Sequence, residues 1–128
     1  MLSKTFLSKK VAKSYSLAMA FQRFVRKLTR ENLWIYILSL LRDGPLYGYE
    51  VERTIKNRFG FKPGKVTCYV VLYMLRKEGF IAISQKLPSD VGPPRRYYRI
   101  TKKGEELLEK AKEFLDNLRA QLFTDKKD

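Results

Sequence analysis

Residues 65–101 read KVTCYVVLYMLRKEGFIAISQKLPSDVGPPRRYYRIT, and the period of their apolar residues changes once, at Gly79. Before it, at 100° per residue, Cys68, Val71, Leu72 and Leu75 fall on one side of a helix running from Lys65 or Val66 to Glu78. After it, Phe80 to Gln85 reads as a strand, Leu87 to Pro94 as a loop rich in Pro, Gly and Asp, and Arg95 to Thr101 as a returning strand. A helix followed at once by a β-hairpin is a restrictive pattern.

Upstream, Tyr47 to Arg58 reads as another helix, with Tyr47, Gly48, Val51, Ile55 and Phe59 inward and Tyr49, Glu52, Arg53 and Lys56 outward. Gly60 ends it and Phe61-Lys62-Pro63-Gly64 turns the chain. Two helices on a short glycine-containing turn, backed by a hairpin, make a winged helix-turn-helix. The expected fold is α+β and mainly helical.

Further out, Arg30 to Arg42 is a helix apolar on nearly all sides, with Thr29 as its N-cap and Asp43-Gly44-Pro45 as its stop. Leu7 to Leu28 carries a helical stripe, so residues 1–28 read as a basic extension, helical or partly disordered. The winged helix would span 29–101. Thr101 caps a last helix over 102–123, before a charged tail at 124–128. In that helix Leu108, Ala111, Leu115, Leu118 and Leu122 step by 3, 4, 3, 4, a short heptad seam.

Composition narrows the function. The 128 residues carry 27 Lys+Arg, 13 Asp+Glu and no His, a net charge of +14. Residues 1–30 hold eight basic side chains and no acid, whereas 105–128 are slightly acidic. So strong a positive balance points to a polyanionic partner, first of all nucleic acid. Without His, and with Cys68 as the one cysteine, neither a triad nor a Cys-rich metal site is available. No cofactor and no catalysis are expected. The longest apolar run, Leu33 to Leu41, is too short to span a bilayer, which needs about 20 residues. The expectation is a cytoplasmic, nucleoid-associated protein with no membrane partner.

The candidate nucleic-acid residues come from the outer face of the 65–78 helix. Val66, Tyr69, Val70, Tyr73 and Lys77 cluster there, and Lys65 and Thr67 sit at its N-terminus, where free N–H groups favour phosphate. In a major groove, valine meets a thymine methyl and tyrosine hydroxyls meet phosphates or base edges; the alternative is packing on another subunit. Arg95 and Arg96 beside the Pro-Pro tip suit backbone phosphates or a narrow minor groove, and the alternative is a solvated strand edge. Tyr49 either meets phosphate or packs over the Gly44-Pro45 turn. Cys68 reads as a small core hydrophobe, with a redox sensor as the alternative.

From Leu33 to Leu115 the sequence resembles the PadR family of transcriptional regulators. The matching stretches are Ile37 to Leu41, Gly44-Pro45-Leu46-Tyr47-Gly48-Tyr49-Glu50, Thr67-Cys68-Tyr69 leading to Glu78-Gly79-Phe80-Ile81, and Gly92-Pro93-Pro94-Arg95-Arg96-Tyr97-Tyr98-Arg99-Ile100-Thr101 with Gly104. Val66 and Val70 stand where the family often has Gly and Pro, so its base contacts do not carry over. One helix after the wing resembles the short-tailed branch. The resemblance implies a homodimeric DNA-binder, usually a repressor, whose last helix packs with the partner's first helix. That assigns Leu33, Trp34, Ile37, Leu108, Ala111, Leu115, Leu118 and Leu122 to the dimer. It also implies a small aromatic or lipophilic effector near the interface. Trp34 and Tyr36 either line such a pocket or belong to the core. The sequence therefore predicts a regulator on a pseudo-palindromic double-stranded operator. The alternatives are a charge-driven chromatin-like or RNA-associated protein and a protein-binding adaptor.

Overall fold

The computed structural model describes residues 17–87 and 95–124, excluding the side chains of 85–87. The chain divides after Asn32 into two compact units. The expected helix before residue 17, the Pro-Pro tip and the end of the charged tail lie outside the described residues.

In the first unit, helix α1 (Leu17–Leu28) runs into a 3-10 turn, Arg30–Asn32. Its apolar residues keep the predicted stripe, yet none is buried. Thr29 is not the N-cap of the second helix, which begins only at Leu33. Its hydroxyl instead donates back to the Val25 carbonyl at 2.6 Å, and Lys27 pairs with Glu31 at 2.8 Å.

The second unit is built around α2 (Leu33–Asp43), which buries Leu33, Ile37, Leu38, Leu40 and Leu41. Helix α3 (Gly48–Phe59) supplies Val51 and Ile55, and α4 (Lys65–Lys77) supplies Cys68, Leu72 and Leu75. Glu50 accepts the Tyr47 N–H at 3.0 Å, fixing the start of α3 by the reach-back half of a capping box. Gly60, at φ 82°, ends α3 in the left-handed conformation that glycine adopts without strain. Arg58 holds Asp43 at 2.5 Å, joining the ends of α2 and α3 and keeping the Asp43 carboxyl below its usual range.

The sheet has three strands, one more than the sequence reading supplies. Strand β1 (Leu46–Tyr47) pairs antiparallel with β3 (Arg95–Ile100), which also pairs with β2 (Ile81–Leu87), in the order β1-β3-β2. Two residues carry too little pattern to show as a strand. Tyr98 turns inward as its alternation with Tyr97 requires, at 9% exposure.

Helix α5 (Lys102–Leu122) is tied on by Thr101. The Thr101 hydroxyl donates to the Gly79 carbonyl at 2.7 Å and accepts the Gly104 N–H at 3.1 Å, while its own N–H bonds the Phe80 carbonyl. One residue thus joins the end of α4, the base of the hairpin and the start of α5. Gly104 has to be glycine: a Cβ there would stand 2.1 Å from the Phe80 carbonyl oxygen and 2.8 Å from Ile100.

Cys68 is 1% exposed, and burial, then the nearby Glu52 carboxylate, pushes its thiol up to about 11. It is a core residue, and its geometry does not suit a redox sensor.

Two outcomes are expected. Gly104→Ala must displace backbone and should cost about 2–3 kcal/mol in urea unfolding, near the upper end for overpacking. The folded state holds the Cys68 proton more tightly than the unfolded chain, so its contribution to stability is lost as pH rises from about 9 towards 11. Ellman's reagent at pH 8 should therefore label Cys68 only at the rate of global unfolding. Rapid labelling of the native protein would contradict its placement.

Candidate nucleic-acid interface

Helix α4 has Gly64 at its N-cap, whose φ of 90° favours glycine and which offers no side-chain cap. The first-turn N–H groups beside Lys65, Val66 and Thr67 are thus free of a capping side chain, an arrangement that attracts anions. Beyond them Val66, Tyr69, Val70, Tyr73 and Lys77 share one exposed face. Val66 is 78% exposed and Tyr73 63%, an unusual outlay of apolar surface on a helix with its other side in the core. Thr67 and Lys77 are exposed as well.

Gly48 explains how α4 sits on α3. A Cβ at position 48 would lie 2.8 Å from the Tyr69 ring and 3.5 Å from Tyr98, so the ring rests directly on the backbone. Burial, with smaller contributions from Tyr98, Tyr49, Cys68 and Tyr47, pushes the Tyr69 hydroxyl up. At neutral pH it is a neutral donor and acceptor.

Beside this contact runs a stack that the sequence reading does not contain. The Arg95 guanidinium lies 4.7 Å from the Tyr47 ring centroid. Tyr47 stacks on Tyr49 at 6.2 Å with 6° between planes, and Lys65 Nζ lies 4.7 Å from the Tyr49 ring. Tyr97 packs against Tyr47 from the side at 5.6 Å. Arg95 from the wing and Lys65 from α4 are thereby two ends of one ladder. Arg96 is exposed one residue further along β3, where strand alternation turns its side chain to the other face of the sheet. Tyr49 is 57% exposed and takes its place in the stack.

Next to Tyr49 a cleft of about 230 Å³ is lined by Glu52, Arg53, Lys56, Lys62 and Lys65. Glu52, expected outward, is in fact buried, and its Oε2 has no hydrogen-bond partner among the described residues. Residue 52 lies at the edge of the α3 stripe, near enough to Cys68 of α4 for its carboxylate to raise that thiol. Arg53, Lys62, Tyr47 and Tyr97 are the functional candidates missed by sequence. The alternation of Tyr47 with Tyr49 was the available signal, hidden because the sequence reading starts the helix at Tyr47 and turns it inward, whereas the structure makes Tyr47 the N-cap.

The opposite side of α4 borders an apolar groove of about 410 Å³, lined by Trp34, Val71, Met74, Leu75, Phe80 and Leu107, with Glu78 at its polar edge. Tyr36 is not among the lining residues. Its ring meets Phe59 and Phe61 edge-on at 4.9 and 5.0 Å.

Of the residues assigned to the dimer, Leu33, Ile37 and Leu108 are buried in the subunit's own core and offer no free surface, a correction to the sequence reading. Trp34 and Ala111 are half-buried. Leu115, Leu118 and Leu122 are exposed, joined by Phe114 and Phe123, which the heptad count skipped.

Comparison with known proteins fits this arrangement. The family model for the transcriptional regulator PadR-like family matches residues 37–110. An uncharacterized protein of Lysinibacillus sphaericus is 36% identical over 83 residues, 63% of this chain and 75% of its own. A transcriptional regulator from Clostridium thermocellum superposes with a TM-score of 0.64 at 27% identity, covering 77% of this chain and 93% of that one. Bacillus subtilis PadR in complex with operator DNA gives a TM-score of 0.56 at 29% identity, over 61% of this chain and 45% of that one. The matched span runs from the buried end of α2 through the wing to the first half of α5, so the elements that build the site are the ones held in common, and the chain belongs to the PadR-like family of transcriptional regulators.

Proposed function

We propose that this regulator binds double-stranded DNA sequence-specifically as a homodimer and acts as a repressor by occupying a promoter. Each subunit inserts Val66, Tyr69, Val70 and Tyr73 into a major groove. Lys65, Thr67, Lys77, Tyr49, Arg95 and Arg96 take phosphates or the neighbouring minor groove. The observation that carries this reading is the exposed Val/Tyr face of α4, flanked by cations from α4 and β3 on one continuous surface. Mixed apolar and hydroxyl side chains suit base edges and thymine methyls, whereas charge alone reads no sequence. The operator-bound Bacillus subtilis PadR among the similar structures supports the same mode. No step needs a cofactor or a covalent intermediate.

The dimer rests on α5. Its first half packs on the core of its own unit, and from residue 112 to Leu122 the helix is exposed. Phe114, Leu115, Leu118 and Leu122 fall within about 100° of one another, a stripe that a second copy would cover. A two-fold pair of α4 helices then calls for a pseudo-palindromic site with half-sites about 34 Å apart. The Trp34 groove, apolar with one carboxylate at its rim, is the place for a small aromatic or lipophilic effector.

Binding of a duplex selected from a random pool, titrated with salt against a scrambled duplex, tests the reading. A specificity ratio of about 10³ or more is expected. A ratio near one at every salt concentration would favour charge-driven structural binding. Tyr73→Ala should shrink the ratio, whereas Arg95→Ala should weaken binding to both duplexes and flatten the salt slope by about one. In sedimentation, Leu118→Glu should yield folded monomers; an unchanged dimer would move the interface off α5.

A further inference from the structure

We propose that Tyr47 is a positioning residue for DNA binding: its ring holds the Arg95 guanidinium in line with Tyr49 and Lys65, so that the wing and the recognition helix present their cations as one unit. The proposal rests on the DNA-binding reading and assigns a role to a side chain that reading does not use.

The geometry isolates Tyr47. It is half-buried, pairs with Tyr97 across β1 and β3, and its ring meets both the Arg95 guanidinium and the Tyr49 ring. Strand β1 ends at that pair, so Arg95 and Arg96 lie beyond its hydrogen-bonded reach. The β2–β3 register shifts between Ile83 and Gln85, opposite Tyr98 and Tyr97, and Ser84 donates to the Tyr97 carbonyl at 3.2 Å. A bulge at that level bends its strand locally and increases the twist. Among the described residues, the ring of Tyr47 ties the Arg95 guanidinium to the body of the domain. An arginine free of such a contact samples many rotamers, and ordering it against a phosphate opposes binding. A cation already seated on a ring has lost most of that freedom before DNA arrives. Lys65, seated on Tyr49 at the other end, gains likewise, and the near-parallel rings keep both ends in register.

The test uses the full chain and the tightest duplex recovered from a random pool by the wild-type protein. Tyr47→Leu should lower affinity about tenfold and reduce the salt slope by about one, while far-ultraviolet circular dichroism stays unchanged. Tyr47→Phe, which keeps the ring face, should stay within about twofold of wild type. Arg95→Ala should weaken wild type about fivefold to tenfold but Tyr47→Leu by less than about twofold, because the arginine is no longer held. Tyr47→Met, with similar reach and no ring, repeats the comparison should Tyr47→Leu unfold. If Arg95→Ala costs the same in both backgrounds and the slope is unchanged, Tyr47 only packs and the positioning role falls. If Arg95→Ala and Lys65→Ala leave wild-type affinity and slope untouched, the wing and helix cations do not meet DNA, and the broader reading falls with it.

Discussion

The Tyr69 ring lies where the side chain of residue 48 would be, and the geometry of the surface depends on that contact. Because Gly48 has no Cβ, α4 packs its ring onto the first turn of α3 instead of standing off by a methyl group. Tyr47 and Tyr49, on either side of the glycine, stack on each other and carry Arg95 and Lys65 against their rings. A three-residue segment thereby relates two helices and the base of the wing. The second fixed point is Thr101, whose hydroxyl joins the end of α4 to the start of α5. Between these anchors α4 has little freedom to shift, as a helix meant to meet a rigid groove requires.

The two sides of α4 serve opposite needs. Cys68, Leu72 and Leu75 are buried and stabilise the domain, while Val66, Val70 and Tyr73 remain in water and contribute nothing of that kind to a lone subunit. A net charge of +14 also opposes compactness through self-repulsion. Surface of this sort lowers its free energy only when a polyanion covers it. In the proposed dimer the second half of α5 follows the same logic with a different partner: exposed Phe114, Leu115, Leu118 and Leu122 would be covered by a copy of themselves.

Much of this was legible in the sequence because it rests on period and punctuation. The break at Gly79, the turn at 60–64 and the inward Tyr98 all obey local rules and reappear in the structure. All ten residues read as DNA contacts are exposed. The features that escaped the sequence depend on pairs distant along the chain. Strand β1 exists because β3 is there to pair with it, and the Arg95–Tyr47–Tyr49–Lys65 ladder joins three elements that no window spans. Glu52 is buried by the tertiary fold and lies near Cys68, sixteen residues later, a placement its position on the α3 stripe does not reveal. Leu33, Ile37 and Leu108 carried the right apolar signal but the wrong destination, since a stripe does not say whether its own subunit or a second one will cover it.

Hydroxyl-radical footprinting of the wild-type protein on its selected duplex tests the central claim most directly. The account predicts two protected patches related by a dyad, centred one helical turn (about 10–10.5 base pairs) apart, each flanked by the weaker protection of a wing. Protection spread evenly along the duplex, or a single patch without a symmetry mate, would contradict it.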